Sequence, residues 1–255
     1  MKKIFFTVLV MSGVTLFAAA QDNEVTNSKG KTTLLPQEGS IALGIDATPF
    51  FKYLGGIFSD TDADTPEFTY GAFYGKYFLT DKMAIRGKLR LGYLSDKSVN
   101  LVPEDNKPDE KVKDITKISG TNIELKVGLE RRIGKTRFQG FYGAEVGFEI
   151  GNQGNRKYTW GNELIAGQRT LSDRNGTTYG IGADLFAGIE YFVASYVAIS
   201  GELGWGIKFA STGKGVLEYE YMDGSKINTK KIETGGSSKF SFDNFGGAIN
   251  VIFYF

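Results

Sequence analysis

The feature that most constrains this chain is an alternation of apolar and charged residues, repeated over segments of about ten, with the charges kept to one side. From Asn122 to Arg132, Ile123, Leu125, Val127 and Leu129 fall on one face of an extended strand. Glu124, Lys126, Glu130 and Arg132 fall on the other. Such a strand suits an apolar face against lipid and a charged face toward a wet or salt-bridged interior. A soluble two-layer sheet would want the reverse.

The pattern recurs along the chain. In Phe138 to Ile150, Tyr142, Ala144, Val146 and Phe148 oppose Gln139, Glu145 and Glu149. Thr177 to Val193 sets Tyr179, Ile181, Leu185 and Ile189 against Asp184 and Glu190. Val197 to Phe209 sets Val197, Ile199, Leu203, Trp205 and Ile207 against Ser200, Glu202 and Lys208, and Ile85 to Tyr93 places Arg86, Lys88 and Arg90 inside. Ser40 to Thr48, Phe68 to Leu79 and Lys239 to Phe255 complete the set, with Lys76 beside Tyr77 leaving the facing of the second open.

Eight strands follow, an even number that lets an up-and-down barrel return its chain to the side it started from. The connections alternate between short turns (Thr80 to Lys82, Ile133 to Thr136, Ala194 to Tyr196) and long polar loops of roughly 15 to 30 residues. Keeping Ile189 and Val197 both outward requires an odd turn, so three residues are expected from Ala194 to Tyr196. Aromatic residues gather where strands would cross two headgroup layers. Phe78, Phe138, Tyr191, Tyr196, Phe253 and Phe255 stand toward the turns, and Phe50, Phe68, Tyr93, Phe148, Tyr179, Trp205 and Phe240 toward the loops.

The amino terminus agrees with a membrane destination. Met1 to Ala20 has two lysines, an apolar stretch and small residues before Gln21, the layout of a secretory signal peptide. A short polar tail, 21–37, would precede a barrel domain spanning 38–255. The chain has no Cys, so lipidation, disulfides and thiolate metal sites are excluded. Removing the signal turns a formal charge of +1 slightly negative, and nothing in that balance points to nucleic acid.

Thirteen inward charges are candidates for one lumen network: Arg86, Lys88, Arg90, Glu124, Lys126, Glu130, Arg132, Glu145, Glu149, Asp184, Glu190, Glu202 and Lys208. With the hairpin turn at Ile133 to Thr136, Glu124 would lie across from Glu145, and Lys126 diagonal to it. Buried ions cost several kcal/mol each unless paired, so opposite charges here favour an internal plug. An ion-conducting path lined by Arg86, Lys88, Arg90, Lys126, Glu145 and Glu149 is the alternative.

Catalysis is disfavoured by composition. The chain has no His, so the familiar acyl-transfer triads and dyads cannot be assembled, and no G-x-S-x-G or S-x-x-K motif stands in a suitable context. No cofactor is called for: Gly180-Ile181-Gly182 reads as strand glycines. The acidic run Asp60 to Asp64 departs from a calcium loop, with Thr65 and Gly71 where Gly and Glu would be needed, and reads as a solvated loop. In the last loop, Val216 to Tyr221 and Ile227 to Ile232 flank Met222-Asp223-Gly224-Ser225, a hairpin signal. Adjacent Lys230 and Lys231 argue against two further barrel strands, since one would face lipid. A hairpin edge above the membrane could recruit an extended partner.

With its signal peptide, four long loops and a last strand ending in Phe255, the chain resembles the small eight-stranded outer-membrane barrels, the OmpA-type and OmpX-like group. That resemblance implies an outer membrane of a Gram-negative bacterium, and a terminal strand, Ile249, Val251, Phe253 and Phe255, read by the barrel-assembly machinery. No peptidoglycan-binding domain follows the barrel, which departs from OmpA-type proteins. Gly44-Ile45-Asp46-Ala47-Thr48-Pro49-Phe50-Phe51, followed by Tyr53-Leu54-Gly55, is similar to barrels of Bacteroidetes. The expectation is an all-β, eight-stranded antiparallel transmembrane barrel without enzymatic activity. Its role would be envelope structure, with recognition of an extracellular protein or surface ligand through the loops. Its other partners would be outer-membrane lipid and the assembly machinery. A small porin-like channel and a lipid-modifying enzyme with a hydroxyl nucleophile are the alternatives.

Overall fold

A computed structural model describes residues 35–48, 70–105, 107–194, 196–242 and 245–255. The signal segment, most of the tail, Phe50, Phe68 and the acidic run at Asp60 lie outside these residues. The described residues form twelve strands: β1 Ile41–Asp46, β2 Tyr70–Thr80, β3 Met83–Glu104, β4 Lys107–Ile133, β5 Phe138–Thr159, β6 Gln168–Arg174, β7 Thr178–Ala194, β8 Val197–Thr212, β9 Gly215–Asp223, β10 Lys226–Thr234, β11 Ser237–Ser241 and β12 Gly246–Tyr254.

Eight of them close a ring by antiparallel pairing, in the order β1, β2, β3, β4, β5, β7, β8, β12 and back to β1. Closure satisfies every strand edge in the ring, which is what a sheet needs to stand in lipid. The outward positions carry exposed apolar side chains, among them Leu43, Phe73, Leu125, Val146, Leu185 and Ile207. The inward ones carry the charges, so the facing follows the alternation.

All three expected short turns are built differently. Thr80, expected in the first, ends β2 paired with Met83, with a bulge at Leu79. The β4–β5 connection is Gly134 to Arg137, and Ile133 pairs with Gly140. That register puts Glu124 across from Glu149 rather than Glu145, while Lys126 keeps its place diagonal to Glu145, opposite Gly147. Between β7 and β8 the odd parity holds without a three-residue turn. Phe192 pairs with Ala198 and Ala194 with Val197, so a bulge at Val193 supplies the extra residue.

The eighth strand is two pieces. On β8, Phe240 of β11 pairs with Phe209, and Asn250 of β12 with Ser200. β11 ends with Ser241 opposite Lys208 and β12 begins with Gly246 opposite Gly204, so the register against β8 differs by one residue between the two pieces. That shift reverses parity. It lets even-numbered Phe240 and odd-numbered Phe253 both point outward, which an unbroken strand forbids.

Most of the expected long loops are sheet. β4 has 27 residues and β3 has 22, well beyond the 9 to 11 or so that a tilted strand needs to cross. Above the ring, β5 continues into β6, then β9, then β10. The β9–β10 hairpin therefore stays out of the barrel and extends an upper sheet, with Gly224 at φ 61° in its two-residue turn.

Candidate functional site: a lumen of two halves

All thirteen predicted charges stand on the inward side of the ring, and Lys76 of β2 joins them, inward with Tyr74 and Phe78. These fourteen residues are seven cations and seven carboxylates. They divide into a dry half near the turns and a wetter half near the loops.

The turn end is closed by an apolar layer. Phe78, Phe192 and Tyr254 cluster with Ala42, Ala84, Ala198 and Ile252, the ring centroids of Phe192 and Tyr254 5.1 Å apart. Phe78 is wholly buried here, which corrects its expected place in the outer aromatic girdle. Arg132 caps the layer, its guanidinium 5.4 Å from the Phe78 ring and 5.6 Å from that of Phe192. It donates to Gln139 Oε1 at 2.8 Å, Tyr254 Oη at 2.9 Å and Glu190 Oε1 at 2.6 Å. The Tyr254 hydroxyl donates to that same carboxylate.

Above this layer the ions interlock. Lys76 Nζ donates to Glu130 at 3.0 Å and to Glu190 at 3.2 Å. Arg86 grips Glu202 with two bonds of 2.7 and 3.0 Å, and its Nε stands 3.2 Å from Glu145, paired by charge rather than by an aligned hydrogen bond. The side chains of Lys76, Arg86, Glu130, Arg132, Glu145, Glu190 and Glu202 are all 8% exposed or less. Charges so desolvated are tolerable because each meets an opposite one and the hydrogen bonds are charge-assisted.

Aromatic rings fill the remaining space over glycines. Phe141 pairs with Gly188 and Phe186 with Gly143 across the β5–β7 ladder. A Cβ on Gly188 would come within 2.4 Å of the Phe141 ring, and one on Gly143 within 2.6 Å of the Phe186 ring. Each ring therefore occupies the place of its neighbour's missing side chain. Arg86 lies 3.8 Å from the Phe186 ring centroid and Lys76 4.9 Å from that of Phe141, so cations and rings share one packed layer.

The loop half is looser. Lys126 reaches Asp184 at 2.6 Å and Glu124 at 3.4 Å, Arg90 meets Glu124 at 3.5 Å, and Lys208 pairs with Glu149. Side-chain exposure here runs from 15% for Asp184 to 38% for Lys208. Lys88 makes no ion pair among the described residues and lies 5.0 Å from the Tyr74 ring centroid. A cavity of 200 Å³ is lined by Glu124, Lys126, Glu149, Asp184 and Lys208. A second, of 320 Å³, shares Glu149 and is lined beyond it by Asn122, Asn175, Thr178, Thr212 and Ser237.

No family model matches this sequence, and no curated protein matches it. A likeness exists among solved structures. The chain is similar to the outer membrane protein OprG from Pseudomonas aeruginosa, at 9% identity and a TM-score of 0.38, covering 87% of this chain and 98% of that one.

Sequence reasoning placed Gln139 inward but missed Lys76, Tyr74 and Tyr254 as lumen residues. Aromatics on both faces of β2 hid the first two, since Phe73 and Tyr77 point out where Tyr74 and Phe78 point in. For Tyr254 a signal was present. It shares parity with Asn250 and Ile252, and a phenol next to a buried carboxylate is what an inward aromatic at that level would need.

Proposed function

We propose that this protein is a sealed outer-membrane barrel of a Gram-negative bacterium, exported by its amino-terminal signal and inserted by the barrel-assembly machinery through Ile249, Val251, Phe253 and Phe255. Its role is envelope structure, with recognition through the sheet that rises above the ring, and it carries no enzymatic activity. The observation that supports the seal is the dry half of the lumen. Three cations, four carboxylates and an aromatic layer fill the cross-section there with side chains at most 8% exposed. Closed ring, apolar exterior and a polar interior support the membrane setting.

The two cavities of the loop half favour a second reading, a small channel for ions or solutes that opens when the lower layer rearranges. Planar-bilayer recording of the refolded protein separates the two, with the heat-dependent gel mobility shift as control for folding. A folded barrel that gives no current supports the sealed scaffold. Steady, salt-dependent steps that change on Lys88→Gln would replace it with the channel.

A further inference from the structure

We propose that β10 is a docking edge for an extended acidic segment of another protein, which adds to the upper sheet as a further antiparallel strand. This rests on the reading that the upper sheet stands outside the membrane. β10 ends the path of hydrogen-bonded strands, and among the described residues it pairs only with β9. Every residue from Lys226 to Glu233 is exposed. A strand so placed offers its outer row of N–H and C=O groups to any extended chain.

The charges select the guest. Lys231 lies 3.5 Å from Glu218 and Glu233 3.0 Å from Lys214, so both are answered within the protein. Lys226 and Lys230 make no ion pair among the described residues, although Asp223 stands opposite Lys226 in the ladder. They are four apart and therefore on one face, which they share with Tyr219 and Tyr221 of β9. A guest with two acids four residues apart would place a carboxylate opposite each lysine.

A second copy of the chain fits poorly. A two-fold axis normal to the sheet sets one residue opposite itself, because facing residues in an antiparallel pair point the same way. Centring on Asn228 puts Lys226 against Lys230. Centring on Lys230 or Lys231 puts that lysine against its own copy, and centring on Thr229 puts Lys230 against Asn228. In none of these registers does Lys226 or Lys230 meet an acid.

The edge is also held in place before any guest arrives. Arg169 of β6 pairs with Glu220 of β9 at 2.5 Å and lies 5.5 Å from the Trp160 ring centroid, while Trp160 Nε1 donates to Thr170 O at 2.9 Å. A preformed edge spares the guest the cost of ordering its partner.

The test uses the folded full-length protein in micelles and a nine-residue peptide of Thr and Val with Glu at its third and seventh positions. Fluorescence anisotropy should give saturable binding, weakened about tenfold or more by Lys226→Glu with Lys230→Glu. Replacing the peptide's glutamates by lysine should abolish it. Methylating alternate backbone nitrogens should block binding in one phase and spare it in the other. No saturable binding up to about 1 mM, or binding indifferent to both the double substitution and the methylation, overturns the proposal. The chain has no Cys, so Thr229→Cys is a unique handle. Labelling of whole cells by an impermeant maleimide should succeed. Failure there overturns the placement of the sheet together with the docking edge, whereas labelling without peptide binding overturns the edge alone. Disulfide-linked pairs of the Thr229→Cys protein forming without peptide would assign the edge to a second copy instead.

Discussion

Glu190 and Glu149 are both carboxylates at inward positions of neighbouring strands, yet their surroundings differ in kind. Glu190 is wholly buried and shared among Lys76, Arg132 and the Tyr254 hydroxyl. Glu149 meets Lys208 beside two cavities at the loop end. The difference comes from the walls. Near the turns, inward Phe78, Phe141, Phe186 and Phe192 displace water and force each ion onto a partner. Near the loops, inward Gly147, Gly180 and Gly182 supply no such bulk, and space for water remains. Pairing is therefore obligatory in one half and optional in the other.

The strongest way to break this contrast is to remove one acid from the dry half. Glu190→Leu leaves Lys76 with Glu130 alone and takes from Arg132 its shortest bond. Because Lys76 and Arg132 must then share the single carboxylate of Glu130 in a site closed to water, equilibrium unfolding in urea from micelles should show a loss of about 3–5 kcal/mol. Phe192→Ala acts on the apolar layer instead. The cavity it leaves beside Tyr254 and beneath Arg132 should cost about 3 kcal/mol and thin the seal. Stepwise current from this variant, against silence from the parent, would locate the barrier at the turn end. Gly188→Ala should cost about 1–3 kcal/mol, since its Cβ would stand 2.4 Å from the Gly201 carbonyl oxygen as well as from the Phe141 ring. A variant as stable as the parent would mean that the ring moves aside freely, and that the dry half is less tightly packed than its contacts imply.

The alternation in sequence was enough to read a closed barrel of eight strands and the side on which each of the thirteen charges stands, because side-chain facing follows a local period. Register and level do not. Glu124 and Glu145 are both legible as inward, but whether they face each other depends on a four-residue turn at Gly134 to Arg137 that no local pattern specifies. Bulges hide in the same way. The one-residue shift in register between β11 and β12 leaves no mark except that Phe240 and Phe253 cannot otherwise share a face. Lys76 was ambiguous because its strand carries aromatics on both sides, and only the depth of the lumen separates a ring that plugs from one that greets lipid. Polar composition in 95–119 suggested loop, yet β3 and β4 pair through it, from Ser95 with Ser119 to Pro103 with Lys111. Pairing beyond the ring needs no apolar face, so composition is silent about it.

The smallest effect is expected where the ions are optional. Lys208 is the most exposed of the ion-paired lumen residues, and its partner Glu149 borders a cavity of 320 Å³. If Lys208→Met removes the pair, Glu149 keeps access to water, which Lys76 and Arg132 lack when they are left to share Glu130. A solvent-screened ion pair contributes no more than about 1 kcal/mol, so urea unfolding should move by that much or less. The screening supplies a second reading of the same experiment. Raising the ionic strength should close the gap between parent and Lys208→Met, while leaving that between parent and Glu190→Leu in place, because salt reaches only the charges that water reaches. Equal salt sensitivity in the two gaps would mean that water enters the lower layer as it does the upper. The division of the lumen on which the seal depends would then fail.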